Sequence, residues 1–200
     1  MLKVATNKFS SYELIRQRIY DSYPSDGPHG QQHVGSVAAF AKRLNEGNKV
    51  NPQTLELAAL LHDVGHRVDG DHTLTGLGIA KQYLTPLTTL SKHDILSIED
   101  AISNHMTSGI PTTDIGRIVA DADRLSGINE LPRRSLEFHT AKGRDEAKAY
   151  WHFRHNKIPR LKNKRSFHTS NGKALHDEEV QRMIEATGTL EGYRRLARNE

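Results

Sequence analysis

His62 and Asp63 close the apolar run Leu57-Ala58-Ala59-Leu60-Leu61 in the segment LAALLHDVGHRVDGDH, and His66 and His72 follow within ten residues. Adjacent side chains on a helix diverge by about 100°, so both reach only a ligand that lies between them. A metal ion suits that geometry. Further ligands must come from other segments, and the sequence offers His33 at the head of HVGSVAAFAKRL and Asp123 within IVADADRLSG. The chain has no cysteine, so a metal would be held by nitrogen and oxygen donors. That donor set suits Mn, Fe, Co, Ni, Zn or Mg rather than ions that prefer thiolate. His66, four residues after His62, also imitates the paired histidines of a zincin helix. Asp63 is one methylene short of the glutamate that motif requires, and Gly65 weakens a helix there.

The elements that must position these residues read as helices. Apolar residues recur at three- and four-residue spacing over 10–21, 34–46, 53–66, 73–84, 92–105, 113–127 and 176–198, with no sustained alternation. Asn51–Pro52 predicts an N-cap and first helical position for the helix that leads to His62–Asp63. Breakers fall at YPSDGPHG, EGNK and TSGIP. The fold class is all-α. Residues 132–172 have poor periodicity, but AKGRDEAKAYWHFRHNKIPRLKNK within them has enough helix formers for one or two further helices.

Two hundred residues suffice for one domain with a real core, expected over about 12–130, followed by a basic helical part over about 132–200. The net charge is only +4, yet eleven basic residues face three acidic ones between Arg133 and Arg165. Such a cluster either attracts phosphate or is a solvated surface. No apolar stretch approaches the roughly 18–20 residues of a membrane span. The N-terminus lacks an apolar secretion core and a small-residue cleavage site, so a cytoplasmic protein is expected. His29, His93, His139, His152, His155, His168 and His176 lie in loops or polar stretches and are expected to face solvent. Tyr150, Trp151 and Phe153 are expected to serve packing rather than base stacking.

In order, HVGSVAAFA, LAALLHDVGH, DHTLTGLGIA, AISNHMTSG and IVADADRLSG resemble the segments of small single-domain HD-superfamily phosphohydrolases, and FHTSNGKAL resembles their threonine-containing segment. The resemblance covers roughly residues 12–190. It implies a helical bundle with a metal site between helices and a ligand set of His33, His62, Asp63 and Asp123, with Asp121 competing for the last place or holding an imidazole. Ser126 stands where relatives often carry a second aspartate. His72 and His105 match the extra histidines of two-metal branches, and either bind a second ion or line the pocket.

The implied reaction is hydrolysis of a phosphate ester, of a nucleotide or related substrate, with one or two divalent ions activating water. Asp63 would orient or deprotonate that water. His66 would approach substrate phosphate or assist the leaving group, and Arg67, Arg160 and Lys164 would meet phosphate charge. Nucleic acid is a further possible partner, and no membrane is expected. A non-catalytic regulatory or nucleic-acid-binding domain and a di-iron oxygenase are the alternative readings. Substrate and oligomeric state are not inscribed in these motifs.

Overall fold

The computed structural model describes residues 11–47, 49–68, 71–106, 108–162 and 167–198, and every regular element among them is helical. Backbone contacts divide the chain into two compact units, residues 1–120 and 121–200.

The first unit is built on α3 (Pro52–Leu61). Asn51 caps it, its side-chain oxygen accepting from the backbone N–H groups of Gln53 and Thr54, with Pro52 at the first turn as expected. Thr54, Leu55 and Leu57 to Leu61 are all buried, so the helix is apolar nearly all round and sits among its neighbours. Against it pack α1 (Ser11–Asp21), α2 (Gln31–Leu44) and α5 (Lys92–Asn104). The buried stripe of α2 is His33, Val34, Val37, Phe40, Ala41 and Leu44, a three- and four-residue repeat that carries an imidazole in its first turn. A capping box between Ser91 and Asp94 starts α5, and Asp94 also accepts from the Thr54 hydroxyl at 2.8 Å, fixing the start of α5 to α3.

The helix predicted over 53–66 ends at Leu61. His62 and Asp63 follow as a turn, and Val64–Arg67 form a single 3-10 turn. The reason is Gly65. A Cβ there would lie 1.7 Å from the carbonyl oxygen of His72, so the backbone turns in to meet the start of α4 (His72–Leu84) at a distance only glycine allows. Asp71 caps α4 by accepting from Thr73 and Leu74.

α6 (Asp114–Asn129) begins in the first unit and carries Asp121 onward into the second. The second unit continues with α7 (Leu131–Thr140), α8 (Glu146–His152), a π-helical turn Phe153–Lys157, α9 (Ile158–Lys162), α10 (Ser170–Ala186) and α11 (Leu190–Arg198). The π turn answers Pro159, which has no N–H and would crowd the carbonyl of His155 in a regular helix. The periodic stretch 176–198 is two helices rather than one. Thr187 ends α10, its hydroxyl donating to the Met183 carbonyl, and the Tyr150 hydroxyl donates to the Gly188 carbonyl in the break. Phe153 and Tyr193 are fully buried with ring centroids 5.2 Å apart, and Tyr150 joins Tyr193 at 5.6 Å. Trp151 departs from the packing expectation and is 58% exposed.

Candidate metal centre

In the first unit Asp63 is a buried carboxylate ringed by imidazoles. His62 precedes it at the end of α3, His33 comes from the first turn of α2, and His105 is the C-cap of α5. The Nε2 atoms of His33, His62 and His105 lie 3.3, 3.3 and 3.2 Å from its oxygens. Nδ1 of His62 stands 2.7 Å from the Ala59 carbonyl, and Nδ1 of His105 lies 3.2 and 3.1 Å from the carbonyls of Ala101 and Ile102. A carbonyl can only accept, so each Nδ1 carries its hydrogen and Nε2 is the nitrogen left to face Asp63 or a cation. Burial works to raise the Asp63 pKa. The charge of His62 and the hydrogen bonds with His105, His29 and His33 outweigh it and hold the group well below the usual carboxylate range.

His29 was expected in solvent, but its Nδ1 is 2.7 Å from Asp63 Oδ2. The loop before α2 folds back because Gly30 packs against Asp26, where a Cβ would lie 2.4 Å from the backbone oxygen. The HxxxH spacing of His29 and His33 was the available signal. The ring of His29 stacks on His66 at 4.1 Å, and His66 stacks on His72 at 4.1 Å. The close approach at Gly65 is what brings His66 over His72. Burial, opposed by Asp63 and aided by His29, His72 and His105, lowers the His66 pKa. A cavity of about 420 Å³ opens beside this stack, lined by His29, His66, Arg67 and the turn Pro24–Pro28. Arg67 borders it while donating to the Ser22 hydroxyl at 2.8 Å.

Two triads here have ligand atoms all within 4.8 Å of one another: His62, Asp63 and His105, and His29, Asp63 and His66. Nitrogen and carboxylate donors converging at this spacing, with two tautomers fixed by backbone, fit a divalent cation of the transition series. His72 joins neither triad and stacks on His66.

In the second unit Asp121 is saturated. Its Oδ1 accepts from the His168 N–H at 2.9 Å and Arg124 at 3.3 Å, and its Oδ2 from the Thr169 N–H and hydroxyl at 2.8 and 2.7 Å. Four donors use the lone pairs of a carboxylate, so Asp121 anchors the start of α10 instead of holding a metal or an imidazole. Asp123, two residues on along α6, is half-buried. Arg160 is exposed on α9, and Lys164 lies outside the described residues. His139 and His176, expected in solvent, are both 2% exposed.

An all-helical fold with an aspartate at the centre of converging imidazoles is one that could hold a metal ion between its helices. A family model for the HD domain matches residues 30–128, and the chain belongs to the HD superfamily of metal-dependent phosphohydrolases, whose domains bind divalent metals. Relatives named Ribonuclease Y match in part. The one from Ureaplasma parvum is 32% identical over 115 residues, 56% of this chain and 22% of that protein. The one from Petrotoga mobilis is 33% identical over 107 residues, covering 52% and 19%. The chain thus spans about a fifth of these relatives' length. The fold is shared with a predicted HD superfamily hydrolase from an uncultured Thermotogales bacterium, at TM-score 0.59 and 22% identity over 87% of this chain and 86% of that one. Bacillus subtilis YpgQ, solved in complex with ADP, gives TM-score 0.58 and 24% identity over 90% and 93%. Among the described residues no helix is long and apolar enough to cross a membrane.

Proposed function

We propose that this chain hydrolyses a phosphate ester of a nucleotide or related phosphorylated substrate. The observation that carries the reading is the convergence of His33, His62 and His105 Nε2 and His29 Nδ1 on the Asp63 carboxylate, within 2.7–3.3 Å. His33, His62, Asp63 and Asp123 would hold one divalent ion, and His105, with His72 or the His29–His66 pair, would serve a second. When bound, such an ion polarises a phosphoryl oxygen and acidifies a water molecule.

The protein's own side chains do the rest. Asp63 accepts a proton from the attacking water or orients it, since its carboxylate stays ionised at neutral pH. His66, at the edge of the cavity and 3.6 Å from Asp63, meets the phosphate or returns a proton to the departing oxygen. Arg67 at the same mouth neutralises charge on the equatorial oxygens. By their charge alone, Arg160 and Lys164 would add to the attraction for phosphate. We take residues 1–200 as one functional HD domain, with its basic part serving the substrate.

The test is phosphate release with Mn, Fe, Co, Ni, Zn and Mg supplied in turn. The panel holds nucleoside polyphosphates and short RNA, suggested by the ADP bound to YpgQ and the name Ribonuclease Y, beside phosphomonoesters and cyclic dinucleotides. Metal-dependent turnover of at least one nucleotide class is expected. Metal binding without turnover of any of them would overturn the reading in favour of a regulatory domain.

A further inference from the structure

The second unit holds another pair of imidazoles, in surroundings opposite to those of Asp63. His139 in the last turn of α7 and His152 at the end of α8 have ring centroids 4.6 Å apart. Arg144, in the turn between the two helices, places NH1 3.1 Å from His139 Nδ1. A guanidinium donates and never accepts, so Nδ1 must present its lone pair, and neutral His139 carries its hydrogen on Nε2. That Nε2 is buried and has no hydrogen-bond partner, in a residue only 2% exposed; Nδ1 of His152 is likewise buried without a partner. A buried donor without an acceptor costs on the order of 1–3 kcal/mol, so the His139 Nε2–H asks for one.

The charge around them selects the acceptor. Arg144, Lys142 and Lys157 act on His139, and Lys157, Arg144 and Arg160 act on His152. These cations, with burial as the largest cause, lower both imidazole pKa values, so near neutral pH the rings are neutral, and His139 offers an N–H amid fixed positive charge. An arrangement of an imidazole N–H, a guanidinium and amines matches a tetrahedral, multiply charged oxyanion. Beside His152 on α8, Trp151 is 58% exposed and stacks on the ring of His155 at 4.6 Å. An exposed indole next to a cationic cluster is a platform for a base.

We propose that His139, His152 and Arg144, with Lys157 and Arg160, form a binding site for a phosphate group, borne by a nucleotide or a nucleic-acid strand, with its base on Trp151. The site uses none of the residues around Asp63 and shares with the hydrolytic reading only Arg160.

Trp151 is the chain's single tryptophan, so its fluorescence reports the site. The full chain carrying Asp63→Ala, in EDTA and at low salt, removes binding through metal. AMP, pyrophosphate and a short single-stranded oligonucleotide are titrated in turn. Saturable quenching is expected with AMP or the oligonucleotide, and pyrophosphate should compete with it. Arg144→Gln, at an exposed position that threatens folding little, and His139→Leu should each weaken binding about tenfold or more, the effect of one lost charge-assisted hydrogen bond. Binding of both ligands assigns the phosphate to nucleotides in general; binding of the oligonucleotide alone assigns it to a strand. Absence of saturable binding by any probe, or equal affinity in folded Arg144→Gln, would overturn the proposal while leaving the Asp63 centre untouched.

Discussion

Imidazoles gather twice in this chain, and their neighbours give them opposite tasks. In the first unit the side-chain nitrogens of His29, His33, His62, His66 and His105 lie 2.7–3.6 Å from one carboxylate, Asp63. In the second, His139 and His152 face each other among Arg144 and lysines. Backbone carbonyls behind His62 and His105 take the N–H and leave a lone pair for a cation, whereas Arg144 takes the lone pair of His139 and leaves an N–H for an anion. The same side chain therefore offers opposite chemistry, and what decides is whether its second nitrogen meets an acceptor or a donor.

The largest effect follows from deleting the carboxylate that distinguishes the two groups. Asp63→Ala should abolish metal binding and hydrolysis together, with a loss at saturating substrate above the roughly 10²–10⁴-fold expected for a lone acid–base group. Elemental analysis beside phosphate release checks it. Full turnover in a metal-replete Asp63→Ala protein would show that the imidazoles act without their carboxylate. Next in size, His105→Ala should reduce the metal content from about two ions to about one per chain, as a two-metal centre requires. A single metal in the unmutated protein under replete conditions would leave His105 and His72 as contacts to phosphate.

A third variant separates scaffold from centre. Asp100 and Asp121 do the same work in different units: each accepts from two consecutive backbone N–H groups and a threonine hydroxyl, at Thr112–Thr113 and at His168–Thr169. The threonine then accepts from a glycine three residues on, Gly116 or Gly172, where a Cβ would lie 2.2 or 2.3 Å from the carboxylate. Asp121→Asn removes charge-assisted hydrogen bonds and should cost about 1.5–3 kcal/mol in a denaturant titration, with metal content unchanged in the folded protein. Metal lost from a folded Asp121→Asn protein would return this residue to the ligand set.

These residues also mark how far the sequence could be read. The helical periods, the Asn51 cap and the His62–Asp63 doublet were visible because each depends on neighbours within a few positions. The end of α3 at Leu61 was not, because it depends on the approach of Gly65 to His72. Asp121 and Asp123 are equivalent in a one-dimensional pattern, and the donors that saturate Asp121 stand 47 and 48 residues away. His29 sits in a loop without periodicity, so its contact with Asp63 depends on a fold-back that no helical pattern encodes. The burial of His139 escaped for a related reason: the weak periodicity of residues 132–172 hid α7 altogether.

The smallest effect concerns pH. His139 and His152 have pKa values lowered in the folded chain, by burial first and then by neighbouring positive charge. As pH falls through the unfolded value of about 6.5, the unfolded chain takes up these protons before the folded one does. The stability they contribute is therefore complete above that value and is lost as pH drops below it, toward the folded values. His139→Leu removes one such group and a buried nitrogen without a partner, so its urea midpoint should fall less between pH 7.5 and pH 5.5 than that of the unmutated chain. The measurement belongs in phosphate-free buffer, because an anion on the imidazoles would favour their protonated form and mask the slope. An identical pH slope in the two proteins would mean that His139 titrates alike folded and unfolded, and the contrast between the two groups of imidazoles would then rest on Asp63 alone.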